Sequence, residues 1–115
     1  MDTMKPDCYY EAKSRFTCNT QRALHVIGEK WMLYILREFL YTDTKQSFNK
    51  LMKELKPISS RTLSLKLKKL QERGLIKRKV IDAQPVKIEY EITEQGRDLK
   101  KALAHFGEWF VKHHS

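Results

Sequence analysis

The chain has 115 residues, 41% hydrophobic and 32% charged, with a formal net charge of +9, which bounds it to one folded domain with a modest core. No stretch approaches the ~20 apolar residues of a membrane helix, and the opening MDTMKPDC lacks the regions of a secretory leader, so a cytoplasmic protein without membrane contact is expected. Two cysteines (Cys8 and Cys18), four scattered histidines (His25, His105, His113, His114) and four glycines supply no disulfide scaffold, zinc pattern, phosphate loop or nucleophile elbow; no enzyme, metal or cofactor is expected.

Residues 1–17 mix proline, acids and scattered charge and read as an N-terminal arm; 18–115 form the domain. Ala23, Leu24 and Ile27 mark a short helix closed by Gly28. A second helix is predicted from about Glu29 to Tyr41. Its Met32, Ile35, Leu36, Phe39 and Leu40 form a broad apolar stripe, widened by Trp31, Leu33 and Tyr34, as expected of a helix at the centre of a fold. Tyr41 to Gln46 reads as a polar connection. Ser47 is placed to cap a third helix bearing Phe48, Leu51, Met52 and Leu55, ended by Pro57. Ser59 or Ser60 then caps a fourth helix, which Gly74 terminates.

From Lys56 to Lys79 the chain carries nine basic residues against Glu72 alone, a net of +8. Within this stretch Leu63, Leu67 and Leu70 recur at i, i+4 and i+7 and can anchor one side of the fourth helix on a core. The opposite side carries Arg61, Leu65, Lys68 and Lys69. An anchored back with a cationic front suits a polyphosphate partner.

After Gly74 the period falls to two. Residues 75–81 and 86–92 are rich in β-branched side chains and alternate, with Asp82-Ala83-Gln84-Pro85 as the turn of a hairpin. Thr93 then caps a last helix whose Leu99, Ala102, Leu103, Phe106 and Phe110 share one stripe, with Trp109 beside it. That is more apolar surface than a small hairpin can cover. The expected fold is mainly α with a β-hairpin (α+β).

Three helices, a turn, a basic helix and a two-stranded ribbon describe a winged helix-turn-helix. The basic helix, about 60–73, would enter the major groove of double-stranded DNA, and the hairpin 75–92 would serve as the wing. Ser59, Ser60, Arg61, Thr62, Ser64 and Leu65 lie at the helix's leading end. Arg61 has the donors for a guanine edge and Leu65 could meet a thymine methyl. Lys68 and Lys69 are placed for phosphates; Arg78, Lys79 and Lys87 are candidate wing contacts. Lys66, nearer the core stripe, is expected to lay its stem along it. A winged helix that engages protein or RNA without operator specificity is the alternative. The cationic face favours nucleic acid, and a protruding helix suits the B-form major groove better than the deep, narrow one of RNA.

In these residues the chain resembles the HxlR-type transcriptional regulators. The likeness runs from Cys18 to about Trp109: Ala23-Leu24, Ile27-Gly28-Glu29-Lys30-Trp31, Ile35-Leu36, Phe48, Leu51, Ile58-Ser59, Leu63, Leu67, Leu70, Gly74-Leu75-Ile76, Arg78, Pro85-Val86, Glu89-Tyr90, Ile92-Thr93 and Gly96. It implies a homodimer on a short inverted repeat that usually represses, with the first and last helices (19–28 and 94–113) building the interface. Leu24, Ile27, Leu99, Leu103, Phe106, Trp109 and Phe110 are the candidate interface residues. Several members of that family sense oxidants or electrophiles through a cysteine matching Cys18, and Arg15, Arg22 and the helix N-terminus would favour a thiolate there. The competing reading of Cys18 is a small buried apolar residue. A redox or small-molecule effector is left open. The chain departs from the family pattern at Glu29, where a second glycine is usual, and between Thr42 and Ser47, where the connection is longer and lacks an arginine before Phe48.

Overall fold

The computed structural model describes residues 18–114; the expected N-terminal arm, Cys8 and Arg15 lie outside them. The chain divides between Leu33 and Tyr34 into two compact units.

In the first unit, α1 spans Asn19–Ile27. Cys18 is its N-cap: the backbone is extended and Sγ accepts the Gln21 N–H at 3.4 Å. At the other end Gly28 donates its N–H to the Leu24 carbonyl. A β-carbon at Gly28 would collide with that carbonyl oxygen, so glycine is required there. None of α1 is fully buried.

The next helix, α2, spans Met32–Tyr41 rather than starting at Glu29. The reason is Trp31, whose φ of +78° lies in the left-handed region and cannot belong to a right-handed helix. In the second unit, Ile35, Leu36 and Phe39 of α2 are fully buried, whereas Tyr34 and Tyr41 are exposed; the stripe is broad but does not encircle the helix.

The connection after α2 holds an element that its polar composition did not announce. Residues Lys45–Ser47 form β1, paired antiparallel with β3 (Val86–Ile92) through Lys45–Glu91, Gln46–Tyr90 and Ser47–Glu89. Gln46 is buried, and its Nε2 donates to the carbonyls of Glu38 and Asp43, both at 3.0 Å. One amide thereby ties the strand to the last turn of α2, where the Glu38 carbonyl also accepts the N–H groups of Thr42 and Asp43. Thr42 adds a hydroxyl donation to the Glu38 carbonyl.

Helix α3, Phe48–Glu54, follows with Ser47 as its cap, the hydroxyl accepting the Lys50 N–H at 3.1 Å. Helix α4 spans Ser60–Glu72 with Ser59 as the cap. It ends as a Schellman motif: Gly74, at φ +79°, donates to Gln71, and Leu75 donates to Leu70 at 3.0 Å. Strand β2, Ile76–Ala83, then pairs with β3 across the two-residue turn Gln84-Pro85, with an irregularity between Val80 and Asp82. The sheet order is β1-β3-β2, so the hairpin predicted from sequence is two-thirds of a three-stranded antiparallel sheet. Leu51, Leu63, Leu67, Leu70, Leu75, Ile76 and Ile92 complete the core.

Thr93 caps the final helical segment, accepting the Gly96 N–H at 3.1 Å and donating towards the carbonyls of Gly74 and Leu75. The last helix is two: α5, Glu94–Arg97, and α6, Leu99–His114, separated at Asp98. No residue of α6 is buried.

Candidate nucleic-acid interface

The leading end of α4 is built by its cap. Ser59 Oγ accepts the Thr62 N–H at 3.0 Å and donates to Thr62 Oγ1 at 2.9 Å, so two of the candidate DNA contacts also fix the first turn. Burial of Leu63, Leu67 and Leu70 then sets the helix's rotation. Residues a half-turn away must face solvent, and Ser60, Arg61, Ser64, Leu65 and Lys68 do so. Leu65 is the telling one: flanked at two residues by buried leucines, it is itself 49% exposed. Thr62 and Lys69 are half-buried at the edge of this face, as is Lys66, in keeping with a stem laid along the core.

The wing candidates divide. Arg78 and Lys87 are exposed. Lys79 is engaged: its ammonium lies 2.9 Å from Glu91 Oε1, and Lys77 approaches the same oxygen at 3.9 Å. The Glu91 carboxylate holds Lys79 above its ordinary value by its hydrogen bond and charge. In return, the Lys79 hydrogen bond holds Glu91 below its ordinary value, with the nearby lysine charges adding to the effect against its partial desolvation. Charge alone makes Lys79 a wing candidate; the structure adds that the acid twelve residues on is its partner. The cross-strand register, Lys79 with Glu89 and Lys77 with Glu91, is the signal that would have found it. A cleft of about 510 Å³ between α3 and the wing is lined by Asn49 with Phe48, Ile81, Val86 and Lys87; nothing in the sequence connects residues so far apart.

The remaining candidates lie on the other helices. On α6, Phe106, Trp109 and Phe110 are 57%, 59% and 57% exposed, and Leu99 and Leu103 are half-buried. Leu24 of α1 is exposed and Ile27 half-buried. At the end of α6 the His114 ring stacks on Phe110 with centroids 4.4 Å apart, so it serves as part of the aromatic surface. Cys18 is fully buried and disulfide-bonded in place of the thiol expected there, so the thiolate argument concerns only a reduced form. Among the described residues no group of three or more acids, histidines or cysteines is placed to hold a metal ion, and no helix is long and apolar enough to cross a membrane.

A core-anchored basic helix is followed by a sheet-forming hairpin. Residues 26–115 match the model of the HxlR-like helix-turn-helix. The chain belongs to that family. Among relatives of this HxlR-like protein, the HTH-type transcriptional regulator YdeP of Bacillus subtilis, itself uncharacterised, is 35% identical over 96 residues, covering 84% of this chain and 73% of that one. A second uncharacterised HTH-type regulator, BH0655 of Halalkalibacterium halodurans, is 37% identical over 89 residues, 77% of this chain and 78% of the other. Among solved structures, the redox regulator HypR in its oxidised form superposes with a TM-score of 0.74 at 31% identity, covering 85% of this chain and 99% of that one. The HxlR-like protein is therefore a transcriptional regulator of the winged helix-turn-helix type, and DNA binding follows from that class.

Proposed function

We propose that this HxlR-like regulator acts as a homodimer on an inverted repeat in double-stranded DNA and represses transcription there. The observation that carries the reading is α4: a helix with Leu63, Leu67 and Leu70 buried behind it and Arg61, Leu65 and Lys68 exposed in front. Arg61 and Leu65 read base edges in the major groove and Lys68, with Lys69 at the edge of the face, sits against phosphates. Ser59, Ser60, Thr62 and Ser64 shape the leading turn against the backbone, while Arg78 and Lys87 supply the wing's charge. The homodimer draws its support from the uncovered stripe of α6, with Leu24 and Ile27 of α1 as further contacts. A two-fold axis through that interface sets the recognition helices one DNA turn, about 34–36 Å, apart. The disulfide at Cys18, together with the likeness to a protein named as a redox regulator, supports oxidation as the signal.

Selection from a random duplex library at two salt concentrations, under reducing and oxidising conditions, tests this reading. The expected product is a palindrome enriched in one redox state. Enrichment of nothing, with binding that vanishes as salt rises, would leave α4 as an electrostatic surface. The second reading, a module that engages protein, would then lead; the exposed Val80, Ile81 and Val86 of the outer wing favour it.

A further inference from the structure

One cleft in the second unit has no part in reading DNA. It lies between the end of α2 and the start of α6, has a volume of about 670 Å³, and is lined by Tyr41, Arg97, Asp98, Lys100, Lys101 and Ala104. That volume falls within the range of small-molecule sites. Tyr41, the last residue of α2, is half exposed there, and the Lys100 ammonium stands 5.6 Å from its ring centroid. Arg97 and Lys101 are exposed, and none of the ion pairs among the described residues engages either. Three cations against Asp98 alone leave the cleft at +2.

These features fit one ligand chemistry. An open aromatic ring and the Ala104 methyl offer a flat apolar surface for another ring. The guanidinium beside it is a forked donor matched to a carboxylate, and Lys100 already shows that a cation is at home over Tyr41. The location argues against DNA phosphate. Thr93 bonds to the carbonyls of Gly74 and Leu75, which puts α5 at the trailing end of α4, roughly 20 Å along that helix from its leading turn.

We propose that this cleft is an effector site for a small aromatic carboxylate. Arg97 and Lys101 take the carboxylate, and the ring lies against Tyr41 and Ala104. The cleft spans Asp98, where α5 gives way to α6, and α6 buries no residue of its own. A ligand held between Tyr41 on one side and Lys101 and Ala104 on the other sets the direction in which α6 leaves the domain. In the dimer read above, that direction sets the spacing of the two recognition helices; this last link rests on the proposed function, whereas the binding itself does not.

The probe is 2-naphthoate, titrated into the full chain and followed by amide chemical shifts, with neutral 2-naphthalenemethanol as the control. A ligand of this size should saturate with a Kd on the order of 1 mM or tighter, with shifts clustered at Tyr41 and 97–104. The exposed charge reversals R97E and K101E together should weaken it at least tenfold, and the neutral control should not saturate. Shifts confined to the Phe106–Val111 stripe, equal binding of the alcohol, or no saturation would each overturn the proposal. Because the shift map needs no variant and no DNA, its failure would leave the reading of α4 untouched.

Discussion

Helices α4 and α6 follow the same rule of spacing and meet opposite fates. In α4, leucines at 63, 67 and 70 are all buried, and the far side presents cations. In α6, Leu99, Leu103, Phe106 and Phe110 repeat the spacing with larger side chains, yet none is buried. Periodicity states that a face requires cover; it does not say what provides it. Strand β2 packs against α4 and its leucines are buried, which leaves a free side suited to a partner of opposite charge. For α6 the free side is the apolar one, and on the function proposed above its cover is a second copy of itself. On that reading the two helices divide the work of a dimeric DNA reader.

The largest effect should come from breaking the α6 side. A charge at Phe106 enters a two-fold interface twice, and each buried anchor is worth about 2–4 kcal/mol. Phe106→Glu should therefore give monomers in sedimentation velocity while the thermal melt of the domain barely moves; a persisting dimer would place the interface elsewhere. Leu67→Ala attacks the matching stripe on α4, where the cover is internal. It should cost about 2–5 kcal/mol in urea unfolding. The companion Leu103→Ala, at a half-buried site, should cost the folded monomer less than half as much, and equal losses would mean that α6 is covered by its own domain. On the solvent side of α4, Arg61→Ala should lose about 1–3 kcal/mol at one base position and little on random duplex. A uniform loss on both would reduce Arg61 to a phosphate contact.

What the sequence could and could not disclose follows from the range of the interactions. The caps at Ser47 and Thr93, the stop at Gly74 and the rotation of α4 depend on residues within a turn or two and were legible; the cap of α4 was legible only as Ser59 or Ser60, and the structure makes it Ser59. The start of α2 was not, because nothing in the apolar pattern around Trp31 announces a left-handed backbone. Nor was β1, a three-residue strand whose composition is polar and whose existence depends on Glu89–Glu91 beside it and on Gln46 reaching back to Glu38. For the candidate site the same limit applies. The face of α4 could be listed from its period, but the sorting of the wing cations into Lys79, engaged, and Arg78 and Lys87, exposed, needed the strand register. The disulfide at Cys18 was not legible, because a chain with so few cysteines carries no sign of a disulfide scaffold.

The wing also supplies the smallest and most discriminating comparison with α4. Glu91 contributes to stability as a carboxylate held below its ordinary 4.5, so its contribution is present above that value and is lost as pH falls through the lowered one. Lys79, held above 10.5, contributes below that value and loses its contribution as pH rises through the raised one. Across the neutral range both are charged, and stability should be flat with respect to this pair. Glu91→Gln should flatten the acid limb of a stability–pH profile slightly, since exposed pairs count for little. Its sharper consequence is on DNA. Glu91 neutralises the Lys79 ammonium, so its removal should release Lys79 towards phosphate and steepen the dependence of log K on log salt by about one unit. An unchanged slope would mean that Lys79 faces away from the duplex, and that the wing's charge in the complex comes from Arg78 and Lys87 alone.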